Sequence, residues 1–310
     1  MNRKAACNTL MTALGLAAAA GIVVLAAPES ASGRSNEGAF DSLPTELVLA
    51  GVIRDFKERT VQGGHPDFER QPAGGFGHYM NNVEMNLDSD GKPVFKGGGR
   101  KVSSQWRDSS GRPIHPSLFN ASIGDTAGSY TGNVDNGGIQ SAETFRSWFR
   151  DTPGTNMSAP LSITLKRAQG SNVYVFDDRQ DPEYSNRGGF FPINNDLFGN
   201  SPNNNKNYHF TYELATEFIY RPGQGQIFTF RGDDDVWVFV NGRLVIDIGG
   251  VHSAVEQTVA LDRLDNLRPN QRNTLHFFFA ERHRTMANFR IETTINLRTA
   301  ELPNTSKLYD

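Results

Sequence analysis

Phe230-Arg231-Gly232-Asp233-Asp234-Asp235-Val236-Trp237-Val238-Phe239-Val240-Asn241-Gly242-Arg243-Leu244-Val245-Ile246-Asp247 is the stretch that decides the fold. Two β-rich runs flank a two-residue Asn-Gly link. That link is the strongest short-range hairpin signal, because a type I′ turn needs positive φ at both central residues. The runs therefore pair as neighbouring antiparallel strands. Asp233, Asp234 and Asp235 sit on the loop entering the first of them. Three adjacent anions on a short loop repel one another unless water or a cation screens them. The sharp reading is a divalent-cation site on the edge of a β-sandwich; the plain one is a solvated acidic turn that keeps a strand edge from aggregating.

Outward from this hairpin the pattern stays β. Leu47 to Phe56 reads as a first strand, and Leu161, Ile163 and Leu165 alternate with Ser162 and Thr164. Tyr208, Phe210, Tyr212 and Leu214 alternate with polar partners, and Ile227 to Phe230 leads into the acidic loop. Leu275 to Ala280 is apolar apart from His276, as expected of a strand buried on both faces. Phe289, Ile291, Thr293 and Ile295 alternate with Arg290, Glu292 and Thr294. Many short strands between Gly, Asn and Pro turns predict an all-β antiparallel sandwich with long loops and one or two short helices. The helix candidate is Ser141 to Arg150, capped by Ser141, with Phe145, Trp148 and Phe149 on one face and Pro153 and Gly154 ending it. Residues 57 to 131 predict long loops and short strands, with Asp88 and Asp90 in an Asx turn rather than an EF-hand, since the third acid and distal Glu are missing. Asn200 to Asn207 is a polar loop suited to a ligand rim.

The chain has 310 residues, 31 of them Gly, and its mean hydropathy is -0.49. Arg3 and Lys4 precede an apolar, alanine-rich stretch from Leu10 to Ala27. This predicts a secretory signal over residues 1–27, with an uncleaved membrane anchor as the alternative. A linker over 28–44, one domain over 45–300 and a tail over 301–310 complete the expected organisation. Loss of Arg3 and Lys4 takes the net charge from -3 to about -5. No basic stripe argues for nucleic acid. The one cysteine, Cys7, falls inside the signal, which excludes disulfides, thiolate catalysis and cysteine-ligated zinc from the mature chain. The expected setting is extracellular or at the cell surface, without membrane insertion after cleavage; nothing in the sequence sets the oligomeric state.

In order along the chain come Gly51-Val52-Ile53-Arg54-Asp55-Phe56, His65-Pro66-Asp67-Phe68-Glu69, Asp90-Gly91-Lys92-Pro93, Phe145 through Pro153, Phe190-Phe191-Pro192 and Asn207 through Thr211. Phe228 through His252 follows, then Phe277 through His283, then Asn288 through Thr293. In these motifs the chain resembles the fibro-slime domain, a branch of the PA14-like β-sandwich superfamily, over roughly residues 47 to 297. In related PA14-type adhesins, two consecutive aspartates joined by a cis peptide hold Ca2+. The ion ligates sugar hydroxyls, and a later loop supplies an asparagine and backbone carbonyls. The resemblance implies Asp233 and Asp234 as that pair and Asn288 as that asparagine. Asp235 stands where a glycine is usual, which leaves it as a further candidate ligand together with Glu281.

Beside these lie His252 and His283, close in sequence to the loops concerned and candidates for ligand contact or for plain strand-end hydrogen bonding. Trp237 is core by its place in the apolar strand, with sugar stacking as the alternative. Arg231-Gly232-Asp233 spells an integrin-type tripeptide, read as coincidence because the aspartate has another use. Three functions follow as expectations. The first is a non-catalytic, calcium-dependent carbohydrate-binding or adhesion protein whose partner is an extracellular glycan or polysaccharide. The second is a structural matrix component without sugar binding. The third is a polysaccharide hydrolase using Asp233 with Glu281.

Overall fold

The computed structural model describes residues 40–300. The expected signal over 1–27, the tail over 301–310 and all of the linker before Phe40 lie outside the described residues. The strands are β1 (Glu46–Phe56), β2 (Tyr79–Met80), β3 (Arg100–Ser104), β4 (Ser129–Val134), β5 (Asn156–Arg167), β6 (Tyr174–Asp177) and β7 (Phe210–Ile219). They continue as β8 (Ile227–Gly232), β9 (Asp235–Val240), β10 (Arg243–Ile248), β11 (Val255–Ala260), β12 (Arg272–Glu281), β13 (Phe289–Thr293) and β14 (Arg298–Thr299). Two short helices, α1 (Ala142–Arg146) and α2 (Pro182–Arg187), interrupt them.

Eleven strands form one antiparallel path, β10-β9-β12-β7-β1-β5-β6-β13-β8-β11, with β14 against β7. The path doubles over on itself. Phe277 and Phe279 of β12 meet Phe230 of β8 and Phe289 of β13, at ring separations of 5.4 Å for Phe230–Phe277 and 5.1 Å for Phe279–Phe289. Those strands stand far apart along the path, so the two halves face each other as a sandwich around an aromatic core. Burying each such ring stabilises the fold by about 1.5–3 kcal/mol.

The Asn241-Gly242 hairpin forms as the sequence predicts, with φ of 48° and 78° and Val240 opposite Arg243. A bulge at Val245 then breaks the alternation of β10. Leu244 faces one cluster while Val245, Ile246 and Ile248 face the main core, because the extra residue turns the strand's later side chains over. β9 and β12 are buried on both faces. Val236, Val238 and Val240 enter the main core, while Trp237 and Phe239 join Phe278 and Ala280 under the Phe145, Trp148 and Phe149 side chains.

The helix starts as expected, with a capping box between Ser141 and Thr144, but ends at Arg146 rather than Arg150. The Asn156 amide donates to the Ser147 and Arg150 carbonyls at 2.9 and 2.8 Å, which turns the chain out of the helix while keeping all three aromatic side chains buried. Asp88 caps its own turn, accepting from the Asp90 and Lys92 amides. β2, β3 and β4 make a separate three-stranded sheet within the long loop region. Among the described residues no helix is long and apolar enough to cross a membrane.

Candidate metal centre and ligand cleft

Four connections meet at one end of the sandwich: β6 to α2, β8 to β9, β10 to β11, and β12 to β13. The register puts them together, since Gly232 pairs with both Val255 and Phe289, and Ala280 pairs with Asp235. Gly232 is needed for this closeness, because a Cβ there would lie 2.2 Å from the Asn288 carbonyl oxygen. The Asp233–Asp234 peptide bond is cis.

The three aspartates have three different fates. Asp233 accepts from the Asn288 backbone amide at 2.6 Å and from the Asn288 side-chain amide at 2.7 Å. Asn288 is oriented in turn by Arg179, which donates to its Oδ1 at 2.6 Å. Asp234 accepts only backbone amides, from His252 at 3.2 Å and Arg282 at 3.1 Å. Asp235 turns inward. It takes Arg282 Nε at 2.5 Å and Nη2 at 3.1 Å, plus the Gly250 amide at 2.7 Å. Arg282 and Asp235 are both fully buried, and the guanidinium lies 5.1 Å over the Trp148 ring. This corrects the expectation of Asp235 as a metal ligand: its carboxylate is committed to an internal ion pair.

The remaining carboxylates differ in one respect. Among the described residues, Asp178, Asp233, Asp234 and Glu281 have no cationic nitrogen within 4.0 Å. Each is nonetheless buried. Burial pushes the Asp233 carboxyl up to about 6 and the Asp178 carboxyl to about 6. Burial lifts Asp234 and Glu281 well above the usual carboxylate range, and the neighbouring anions add to it. Glu281 Oε2 and Asp178 Oδ2 are buried with no hydrogen-bond partner. Orphaned buried acceptors of this kind are costly and call for an explanation. Asp178 was missed from the sequence; its signal was a second pair of adjacent aspartates, Asp177-Asp178, here closing an apolar run where Asp233-Asp234 precede one.

A cleft of about 570 Å³ opens beside Asp233 and Asn288 and is also lined by His252 and His283. His252 Nε2 is buried without a partner, and burial holds its imidazole down at about 3, hence neutral. His283 Nδ1 is 2.8 Å from Glu69 Oε2. Trp237 does not reach the cleft. It is fully buried, donates Nε1–H to Asp247 at 3.1 Å and packs 6.1 Å from Trp148, so sugar stacking is ruled out for it. The polar loop 200–207 borders a different, smaller cavity, with Glu58 and His209 on its wall.

That second place holds the three-donor group whose ligand atoms, among the described residues, do converge within 4.8 Å: Glu58, Glu69 and His209. Its donors are already engaged. Arg284 pairs with Glu58, His209 Nε2 lies 3.0 Å from Glu69, and His283 holds the other Glu69 oxygen. Although burial opposes it, hydrogen bonds from His209 and His283 hold the Glu69 carboxyl below its usual range. No feature of the sequence marked this group.

No family model matches the chain. Two proteins of Dictyostelium discoideum do align with it: protein psiD at 38% identity over 84% of this chain and 44% of its own length, and protein psiR at 32% over 80% and 21%. This chain is similar to a part of the psi proteins. It spans less than half the length of each of those two. Among solved structures, the PA14 domain of the MpAFP antifreeze protein aligns over 31% of this chain and 56% of its own, at 12% identity and a TM-score of 0.22. A Xanthomonas citri GH31 α-xylosidase aligns over 81% of this chain and 25% of its own, at 10% identity and a TM-score of 0.24. Overlaps that slight decide nothing about fold or function.

Proposed function

We propose that this is a secreted or cell-surface, calcium-dependent carbohydrate-binding module of the fibro-slime, PA14-like type, with no catalytic activity. One observation carries the reading. Asp233, Asp234 and Glu281 are buried together at a loop end with no cationic nitrogen within 4.0 Å among the described residues, and Glu281 Oε2 has no hydrogen-bond partner. Buried carboxylates without a cation are expensive unless they are protonated or ligate a metal. The donor set is all oxygen, which suits a hard cation such as Ca2+ rather than zinc or copper.

Asp233 and Asp234 would hold the ion, with Glu281 and Asp178 contributing negative charge from behind. Bound Ca2+ supplies open coordination positions for sugar hydroxyls. The chain's own groups do the rest. Asn288 fixes the Asp233 carboxylate through two donors, and Arg179 fixes the Asn288 amide. The His252 and Arg282 amides hold Asp234 in place from opposite loops. The cleft beside them places a ligand against this end of the sandwich.

Thermal-shift and calorimetric titration with Ca2+ tests the reading. At a hundredfold excess over Kd, a single site raises unfolding stability by about 2.7 kcal/mol. Asp233→Ala/Asp234→Ala abolishes that gain, and chelator abolishes binding on a glycan panel. Glycan binding that persists in chelator, or a wild-type protein indifferent to Ca2+, refutes it.

A further inference from the structure

We propose that the cleft beside the Asp233–Asp234 pair selects an anionic sugar, one bearing a carboxylate or a sulfate ester, through Arg179 and Arg231. The inference rests on the glycan-binding reading above and specifies its ligand. Arg179 lines the cleft and spends one N–H on the Asn288 amide oxygen at 2.6 Å. Its backbone N–H donates to Asp177 Oδ1 at 3.0 Å, but among the described residues its guanidinium has no carboxylate oxygen within 4.0 Å. Arg231 projects from β8 into the same cleft and is exposed. Its cross-strand neighbours are Glu256 on β11 and Arg290 on β13. Arg290 is held by Asp177 and Glu292, while Arg231 makes no ion pair within 4.0 Å with any described residue.

Two guanidinium groups therefore share one opening with no anion bound to either. The acids nearby do not serve them. Asp233 is buried, and each of its oxygens accepts a hydrogen bond from Asn288 rather than from a guanidinium. Guanidinium groups present paired N–H donors that match a carboxylate or sulfate in two-point fashion. The rest of the wall suits a sugar ring. Phe76 and Met286 are 45% and 50% exposed on the rim, large apolar side chains left open where a ring face can cover them. Phe76 is braced by the His283 ring at 4.8 Å. A volume of about 570 Å³ lies within the ordinary range for small-ligand sites. A neutral-sugar site needs the ion and the apolar rim; it has no use for the exposed Arg231 guanidinium, which makes no ion pair.

The test is calorimetry in Ca2+ buffer on the full chain, with a methyl hexuronide, the methyl hexoside of the same configuration, and a sulfated methyl hexoside. The charged sugars bind about ten- to a hundredfold more tightly than the neutral one. Arg231→Gln, an exposed change, removes most of that preference, so the ratio of charged to neutral affinity falls toward one. Preference for the hexuronide alone assigns the carboxylate; preference for the sulfated sugar alone assigns the ester; either supports the proposal. Equal affinity for all three, unchanged in Arg231→Gln, overturns it and leaves the glycan reading standing. Binding of none of them, nor of any glycan on a broad panel, removes both.

Discussion

Two acid-rich clusters lie in neighbouring loops of this protein, and they are solved differently. Around Glu58, Glu69 and His209 the donors converge, yet Arg284 reaches both carboxylates, and His209 and His283 each take one Glu69 oxygen. Around Asp233, Asp234 and Glu281 the burial is as deep, but the partners are backbone amides and one asparagine. Convergence of ligand atoms alone would choose the first cluster as the metal centre. Under the proposed reading, charge balance favours the second. A dication gains less where an arginine already pairs with the acids than where buried carboxylates have no cationic nitrogen within 4.0 Å.

The contrast can be broken most severely inside the acidic triplet itself. Asp235→Ala leaves Arg282 charged and unpaired in the interior, and the loss is about 3–5 kcal/mol by urea unfolding. A loss below 1 kcal/mol would show that Arg282 finds water or another acceptor and that the two halves of the triplet are less distinct than their contacts. Glu58→Gln is milder, about 1 kcal/mol, because Arg284 is partly exposed and screened. Its calcium response stays at the wild-type level; a Tm that no longer moves with Ca2+ in this variant would transfer the metal centre to the first cluster. A pH-dependent effect concerns Asp247, an acid that accepts from neutral donors only, the Trp237 indole and the Asn81 amide. Burial pushes its carboxyl from 3.8 to about 7. A raised folded value means that its stabilising contribution is complete below pH 3.8 and lost as pH climbs to about 7. Wild-type stability therefore declines relative to Asp247→Asn between pH 4 and 7 in paired denaturation curves, and parallel curves would contradict the assignment.

Local rules made much of the fold legible. Asn241-Gly242 announced its hairpin, the alternation of β13 and the double-sided apolarity of β12 announced their burial, and Ser141 announced its helix start. The bulge at Val245 was not legible, because it is imposed by the need to feed two cores from one strand. In the site, Asp233, Asp234 and Asn288 stand out through the resemblance, and the chain brings Asp233 and Asn288 into hydrogen-bonding contact. The commitment of Asp235 to Arg282 was not visible. It joins residues 47 apart, and only the three-dimensional register turns one carboxylate of three inward. Asp178 and the Glu58–Glu69–His209 group escaped for the same reason, since their partners come from 111 and 140 residues away.

Arg282 has one further consequence. Its backbone N–H grips Asp234 at the loop, while its side chain lies over the Trp148 indole in the layer beneath, a short step from Trp237. Movement of the outer carboxylate is thus coupled to the electric field at a buried fluorophore. Intrinsic emission from this pair of indoles gives the loop end an optical readout of its own, with no label attached.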